Sequence, residues 1–188
     1  MNRSVLLKLA LPIIAVFSAT LAHAAGGETE GFWSTPTIHN YGTIHYLPDA
    51  AFKPDPKRSY KIVFSLTQAS QSPDKVNPGL DHVARTVNLY VAAGVPLSHL
   101  KAVAVAYGAA TPLALDDAHY RASFGVPNPN LPLIAELKKA GVTVSVCGQA
   151  VAEHHFEYDW LANDVTLALS GLTTITTLES DGYVLMPL

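Results

Sequence analysis

From Tyr60 onward, short apolar runs alternate with stretches in which apolar residues recur every three or four positions. YKIVFSLT (60–67) is an apolar run with β-branched residues, the pattern of a buried strand. SQSPDKVNPG (70–79) is a loop broken by Pro and Asn-Pro. In LDHVARTVNLYVAAG (80–94), Leu80, Val83, Ala84, Val87, Tyr90 and Val91 share one face of a helix, and Gly94 stands at its C-terminal stop. LKAVAVAYG (100–108) predicts a second strand. TPLALDDAHYRASFG (111–125) predicts a mixed connection with a short helix. NPNLPLIAELKKAG (128–141) predicts a helix ended by Gly141, and VTVSVCG (142–148) a third strand.

QAVAEHHFEYDWLA (149–162) reads as one or two short helical turns, and DVTLALS (164–170) as a strand. GLTTITTLESDG (171–182) pulls two ways. Its threonines favour a strand locally, whereas Leu172, Ile175 and Leu178 recur at three-residue spacing before Gly182. We assign a helix. YVLMP (183–187) is a last short strand. Strands alternating with helices imply βαβ units, hence an α/β domain with a mostly parallel five-stranded sheet and helices on both faces.

The first 59 residues follow different rules. Residues 1–24 carry Arg3 and Lys8, then an apolar stretch from Leu9 to Leu21, then Ala22-His23-Ala24. This is the three-part pattern of a secretory signal peptide, and Pro12 and Ser18 interrupt the stretch too soon for a membrane span. Residues 25–59 are rich in Gly, Pro and Thr without a sustained period, yet hold Phe32, Trp33, Tyr41, Tyr46 and Phe52. Disordered tails are poor in aromatics, so an ordered arm is expected, lying on the domain or on a neighbouring subunit. The α/β domain then spans residues 60–188.

Of the 12 lysines and arginines, Arg3 and Lys8 belong to the leader, so ten basic residues face 15 acidic ones in the mature chain. That balance, without a basic run, gives no footprint for nucleic acid or for an anionic membrane. The protein is expected in the periplasm or outside the cell, with no membrane role after the leader is removed. Cys147 is the single cysteine, so no internal disulfide is possible.

Ligands of open α/β sheets bind at the carboxyl ends of the strands, and Cys147 ends one. A helix starting near Gln149 aims its free N–H groups at the sulfur and favours thiolate, while Gly148 permits close approach. The competing reading is a small buried hydrophobe, since free cysteine often packs as one. Tyr107 ends the second strand on the same edge. Asn128 begins a helix whose N-terminus offers an anion site, or serves simply as its cap. The eight histidines show no HxxxH, and adjacent His154 and His155 point about 100° apart on a helix, so no metal site is expected. No G-x-S-x-G, G-x-G-x-x-G or Walker pattern occurs.

NPGLDHVARTVNLYVAAGVPLSHLKAVAVAYGAA, NPNLPLIAELKKAGVTVSVCGQA and DVTLALSGLTTITTLESDGYVLMPL together resemble the DsrE/DsrF-like family over about residues 60–188. The strand-end Cys-Gly-Gln and the Gly-Tyr-x-Leu ending carry the likeness. The resemblance implies a three-layer α/β sandwich, association as trimers or hexamers, and a cysteine that carries sulfur as a persulfide in sulfur-relay members. Only Cys147 matches that position. The implied partners are a sulfur donor or acceptor protein, or a small sulfur compound, with no cofactor. Some relay members feed sulfur to tRNA modification in the cytoplasm. The leader and the acidic balance point away from that pathway, and the arm at 25–59 goes beyond the family's minimal domain.

Overall fold

The computed structural model describes residues 31–188; the leader expected over 1–24 and the first residues of the arm lie outside them. Among the described residues, β1 (Tyr60–Leu66), β2 (Leu100–Ala106), β3 (Val142–Cys147), β4 (Val165–Ala168) and β5 (Val184–Pro187) form one sheet, ordered β4-β3-β2-β1-β5. Every pairing is parallel, so the sheet is wholly rather than mostly parallel. The connecting helices are α1 (Pro78–Ala92), α2 (Asp117–Phe124), α3 (Leu131–Lys139), α4 (Gly148–Glu153) and α5 (Gly171–Ser180).

Strand alternation sorts the side chains into two layers of packing. Ile62, Phe64 and Leu66 of β1 and Val142, Val144 and Val146 of β3 join Leu80, Val83 and Val87 of α1 and Leu133, Ile134 and Leu137 of α3 in one core. Burying a side chain such as Leu80 or Ile134 contributes about 1.5–3 kcal/mol. Val63, Ser65, Val105 and Ser145 are also buried but stand outside that core, on the opposite face, where α5 lies against β1 and β2. That makes three layers. The α5 side is only partly covered: Leu172 of α5 is 78% exposed, and Leu185, which pairs with Val63 on that face, is 38% exposed.

The helix boundaries differ from the periodic pattern where side chains cap them. α1 begins two residues early, because the Asn77 side chain accepts the Leu80 N–H at 3.2 Å and Pro78, lacking an N–H, suits the first turn. α3 begins three residues late, because Asn128 and Asn130 are spent on the loop before it. α5 forms despite its threonines: Ser170 caps it, and Thr176 returns its hydroxyl to the Leu172 carbonyl at 2.9 Å.

The arm lies along α1. Ile38 and Ile44 are buried, and an antiparallel bridge joins Ser34 to Ile44. Asn88, fully buried in α1, is the clamp. Its carbonyl oxygen accepts the Thr37 and Ile38 N–H groups at 3.1 and 2.8 Å, and its amide donates to Tyr41 and Gly42 carbonyls at 3.0 and 2.9 Å. Gly42 takes φ +59°, and a Cβ there would lie 2.1 Å from the Arg85 nitrogen, so only glycine fits.

Candidate functional site

Cys147 is the last residue of β3 and the cap of α4. Its Sγ accepts the Ala150 N–H at 3.4 Å, which uses one of the free donors of the first helical turn. The residue is 6% exposed. Alternation along β3 puts Cys147 on the face of Ser145, the side of the sheet that carries α5, and outside the core that contains Val144 and Val146.

Gly148 holds this corner tight. A Cβ on it would lie 2.9 Å from the Ala168 carbonyl oxygen, so the turn out of β3 presses against the end of β4. Gln149 reaches across the same gap and donates to the Leu169 carbonyl at 3.1 Å. Its amide is therefore engaged with the backbone, and the N–H that touches the sulfur is that of Ala150. Gly148, Gln149, Tyr158 and Leu167–Leu169 line a shallow cavity of about 290 Å³ at this corner, which Cys147 itself does not line.

Tyr107 follows Ala106, which pairs with Val146, so Tyr107 and Cys147 stand at the same level on neighbouring strands. The Tyr107 ring packs on the α5 face: a Cβ on Gly171 would touch it at 3.1 Å, and its hydroxyl bonds the Ser65 hydroxyl at 2.7 Å. Tyr107 thus forms a fixed wall on the cysteine's face of the sheet. Ser65, which holds it there, was not singled out from the sequence; a serine inside the apolar run of β1 was the available signal.

Asn128 lies elsewhere. It is 4% exposed, and its amide donates to the Leu113 and Leu115 carbonyls at 3.1 and 2.6 Å. Its oxygen accepts both the backbone N–H and the side-chain amide of Asn130. Asn130 in turn accepts the Asn77 N–H at 2.8 Å, and Asn77 donates to the Gln68 carbonyl at 2.7 Å. These three asparagines form a satisfied buried network that ties three loops together. The structure commits the Asn128 side chain to that network and does not bring it to Cys147.

A row of stacked rings leads away from the strand edge. His154 bonds the Gly108 carbonyl at 2.9 Å and stacks on Phe156. Phe156 meets Trp160, and Trp160 stacks on His119 at 4.8 Å. Both Asp116 carboxylate oxygens lie 2.9 Å from His119 Nδ1. Desolvation pushes the Asp116 carboxyl up, but hydrogen bonds from the His119 backbone and ring, with its charge, bring it net below the usual value. Among the described residues, no three His, Cys, Asp or Glu side chains gather as a metal site.

A wholly parallel sheet with a cysteine at the carboxyl end of β3 defines an α/β protein whose one thiol sits where such sheets bind ligands. The chain belongs to the DsrE/DsrF-like family, whose model matches residues 60–188. Among solved structures it is similar to a protein of unknown function, MTH1491, from Methanobacterium thermoautotrophicum, with 19% identity and a TM-score of 0.51. The match covers 69% of this chain and all of that one, and it speaks for the fold. No curated protein matches.

Proposed function

We propose that this is an exported, thiol-dependent sulfur-trafficking protein that carries sulfane sulfur as a persulfide on Cys147. The observation that carries the reading is the place of the sulfur, at the carboxyl edge of a parallel sheet with the Ala150 N–H directed at it. Membership of the DsrE/DsrF-like family, associated with sulfur relay, supports the same chemistry. In loading, the Cys147 thiolate attacks the outer sulfur of a persulfide donor, R–S–SH. A bond from Cys147 Sγ to that sulfur forms, the donor's S–S bond breaks, and the donor leaves as its thiolate, with no net oxidation or reduction. Unloading repeats the step toward an acceptor thiol. Neither direction calls for a metal or an organic cofactor.

The donor and acceptor are sulfur-carrying proteins or small sulfur compounds, and the acidic balance argues against nucleic acid as a partner. Export rests on the leader pattern in residues 1–24, and N-terminal sequencing of the secreted or periplasmic form is expected to begin at Ala25. Self-association as a trimer or hexamer belongs to the same reading and is supported by exposed Leu172 and part-exposed Leu185 on the thinly covered side.

Mass spectrometry of the reduced, whole protein after a polysulfide challenge tests the proposal. One added sulfur atom on Cys147 is expected, and a folded Cys147→Ser variant should gain none. Equal loading of the variant would end the reading. A second reading, a non-catalytic oligomeric binding module with an inert thiol, is favoured by the 6% exposure of Cys147. Thiol labelling that is slow in the native state and fast only on denaturation would select it.

A further inference from the structure

A second cavity lies away from the cysteine. It measures about 480 Å³ and opens between the arm and the C-terminal half of α1. Tyr60 starts β1 and Cys147 ends β3 of a parallel sheet, so the cavity and the sulfur lie toward opposite edges. The volume is that of a small-molecule site.

Its walls are aromatic and aliphatic: Tyr46, Leu47, Tyr60, Leu89 and Tyr90, with Phe52 at the mouth. Tyr60 and Tyr90 meet edge to face at 4.8 Å and fix one side. Asp55 holds Tyr60 in turn, its backbone N–H donating to the Tyr60 hydroxyl at 2.6 Å. Lys53 is the charged side chain on the lining. Lys53 and His45 line the cavity, and Asp49 and Asp55, the acids of that segment, do not. Lys53 Nζ donates to the Pro48 carbonyl and has no acidic partner among the described residues. His45 Nδ1 faces the Phe32 carbonyl at 2.7 Å, and its ring stacks on Phe32.

Phe52 adds an independent sign. Its backbone is left-handed, at φ +57°, a conformation that bulky residues rarely take. Its side chain is 104% exposed, so no burial within the chain explains why an aromatic residue is held there. A large apolar ring left in solvent beside an aromatic cavity is placed to cap a ligand that enters it.

We propose that this cavity binds a small amphiphilic anion, a flat apolar body bearing one carboxylate or sulfonate. The apolar body stacks among Tyr46, Tyr60 and Tyr90, the anionic head meets Lys53, and Phe52 closes over the mouth. The site is independent of sulfur chemistry at Cys147.

The test is a fluorescence titration of the whole protein with 8-anilinonaphthalene-1-sulfonate, and with uncharged N-phenyl-1-naphthylamine as comparison. One saturable site is expected. Ala50→Trp fills the cavity from an exposed position and should weaken both probes at least about tenfold, with circular dichroism unchanged. Lys53→Gln should weaken the sulfonate and leave the uncharged probe within about twofold. Leu172→Asp, on the exposed α5 patch, should change neither. The proposal falls if binding is unsaturable, if Ala50→Trp has no effect, or if Lys53→Gln weakens both probes alike. It also falls if Leu172→Asp abolishes binding, or if binding vanishes as the protein self-associates, which would make a second copy the occupant.

Discussion

Asn88 and Gly42 meet where α1 and the arm touch, the Asn88 amide donating to the Gly42 carbonyl at 2.9 Å. With its other bonds to Thr37, Ile38 and Tyr41, Asn88 satisfies its whole amide inside the protein. Asn88→Ala leaves backbone groups of the arm without partners. We expect a loss of about 2–4 kcal/mol in urea unfolding, since each unsatisfied buried group costs about 1–3 kcal/mol. Limited proteolysis should then cut first within residues 31–59.

Gly148→Ala places a methyl group 2.9 Å from the Ala168 carbonyl, a backbone atom that cannot turn aside. Either α4 or the end of β4 has to shift, at a cost of about 1–3 kcal/mol. Thermal unfolding should register the loss. Sulfur loading of the still-folded variant should slow, because Cys147 is the neighbouring residue.

Access to Cys147 should depend on reagent size. Cys147 is 6% exposed, and the cavity of about 290 Å³ at this corner is lined by its neighbour Gly148 rather than by the cysteine. Iodoacetamide and polysulfide should react in the native state, whereas a bulky maleimide should lag far behind. Equal rates for both reagents would show that the corner opens freely.

Asp116 and Asp117 set an acid limit. The Asn128 N–H, then Arg121, hold the Asp117 carboxyl below its ordinary value of 3.8, and Asp116 is also held below it. Both are lowered in the fold, so their stabilisation is present above the unfolded value and is lost as pH falls through the folded one. Urea midpoints should therefore drop below about pH 4. The double substitution Asp116→Asn, Asp117→Asn should flatten that drop.

Leu172 is 78% exposed on the side of the sheet that α5 covers alone. Sedimentation velocity should show a self-associating wild type, and Leu172→Asp should shift it toward the monomer. An unchanged distribution would place the contact surface elsewhere.

Much of the sheet was legible because its signal is local. The run at 60–67 became β1, and the spacing of Leu80, Val83, Ala84 and Val87 became the buried face of α1. Asn88 was missed because it sits beside Val87 on an apolar stripe, where periodicity counts it as noise. Its partners lie some fifty residues away, beyond the reach of any window. The Asn-Pro pairs read as punctuation, and Asn77 and Asn128 do lie between elements, but their side chains also build a buried network that only the folded loops bring together. At the candidate site, the strand-end position of Cys147 followed from the apolar run before it. The contacts of Gln149 and Tyr107 did not, because they depend on how closely β4 and α5 approach.

β1 owes its outer neighbour to β5, with Ile62 to Ser65 in register with Val184 to Pro187. Assembly in time follows from that pairing. β1 emerges first of the five strands, yet its outer flank stays open until the last one arrives. A chain delivered from its N-terminus therefore passes through a stage with four strands in hand and the seven residues of β1 standing as an edge, open to a wrong neighbour. Four residues at the far end of the sequence decide when β1 is covered, and they leave a shorter strand at the edge in its place.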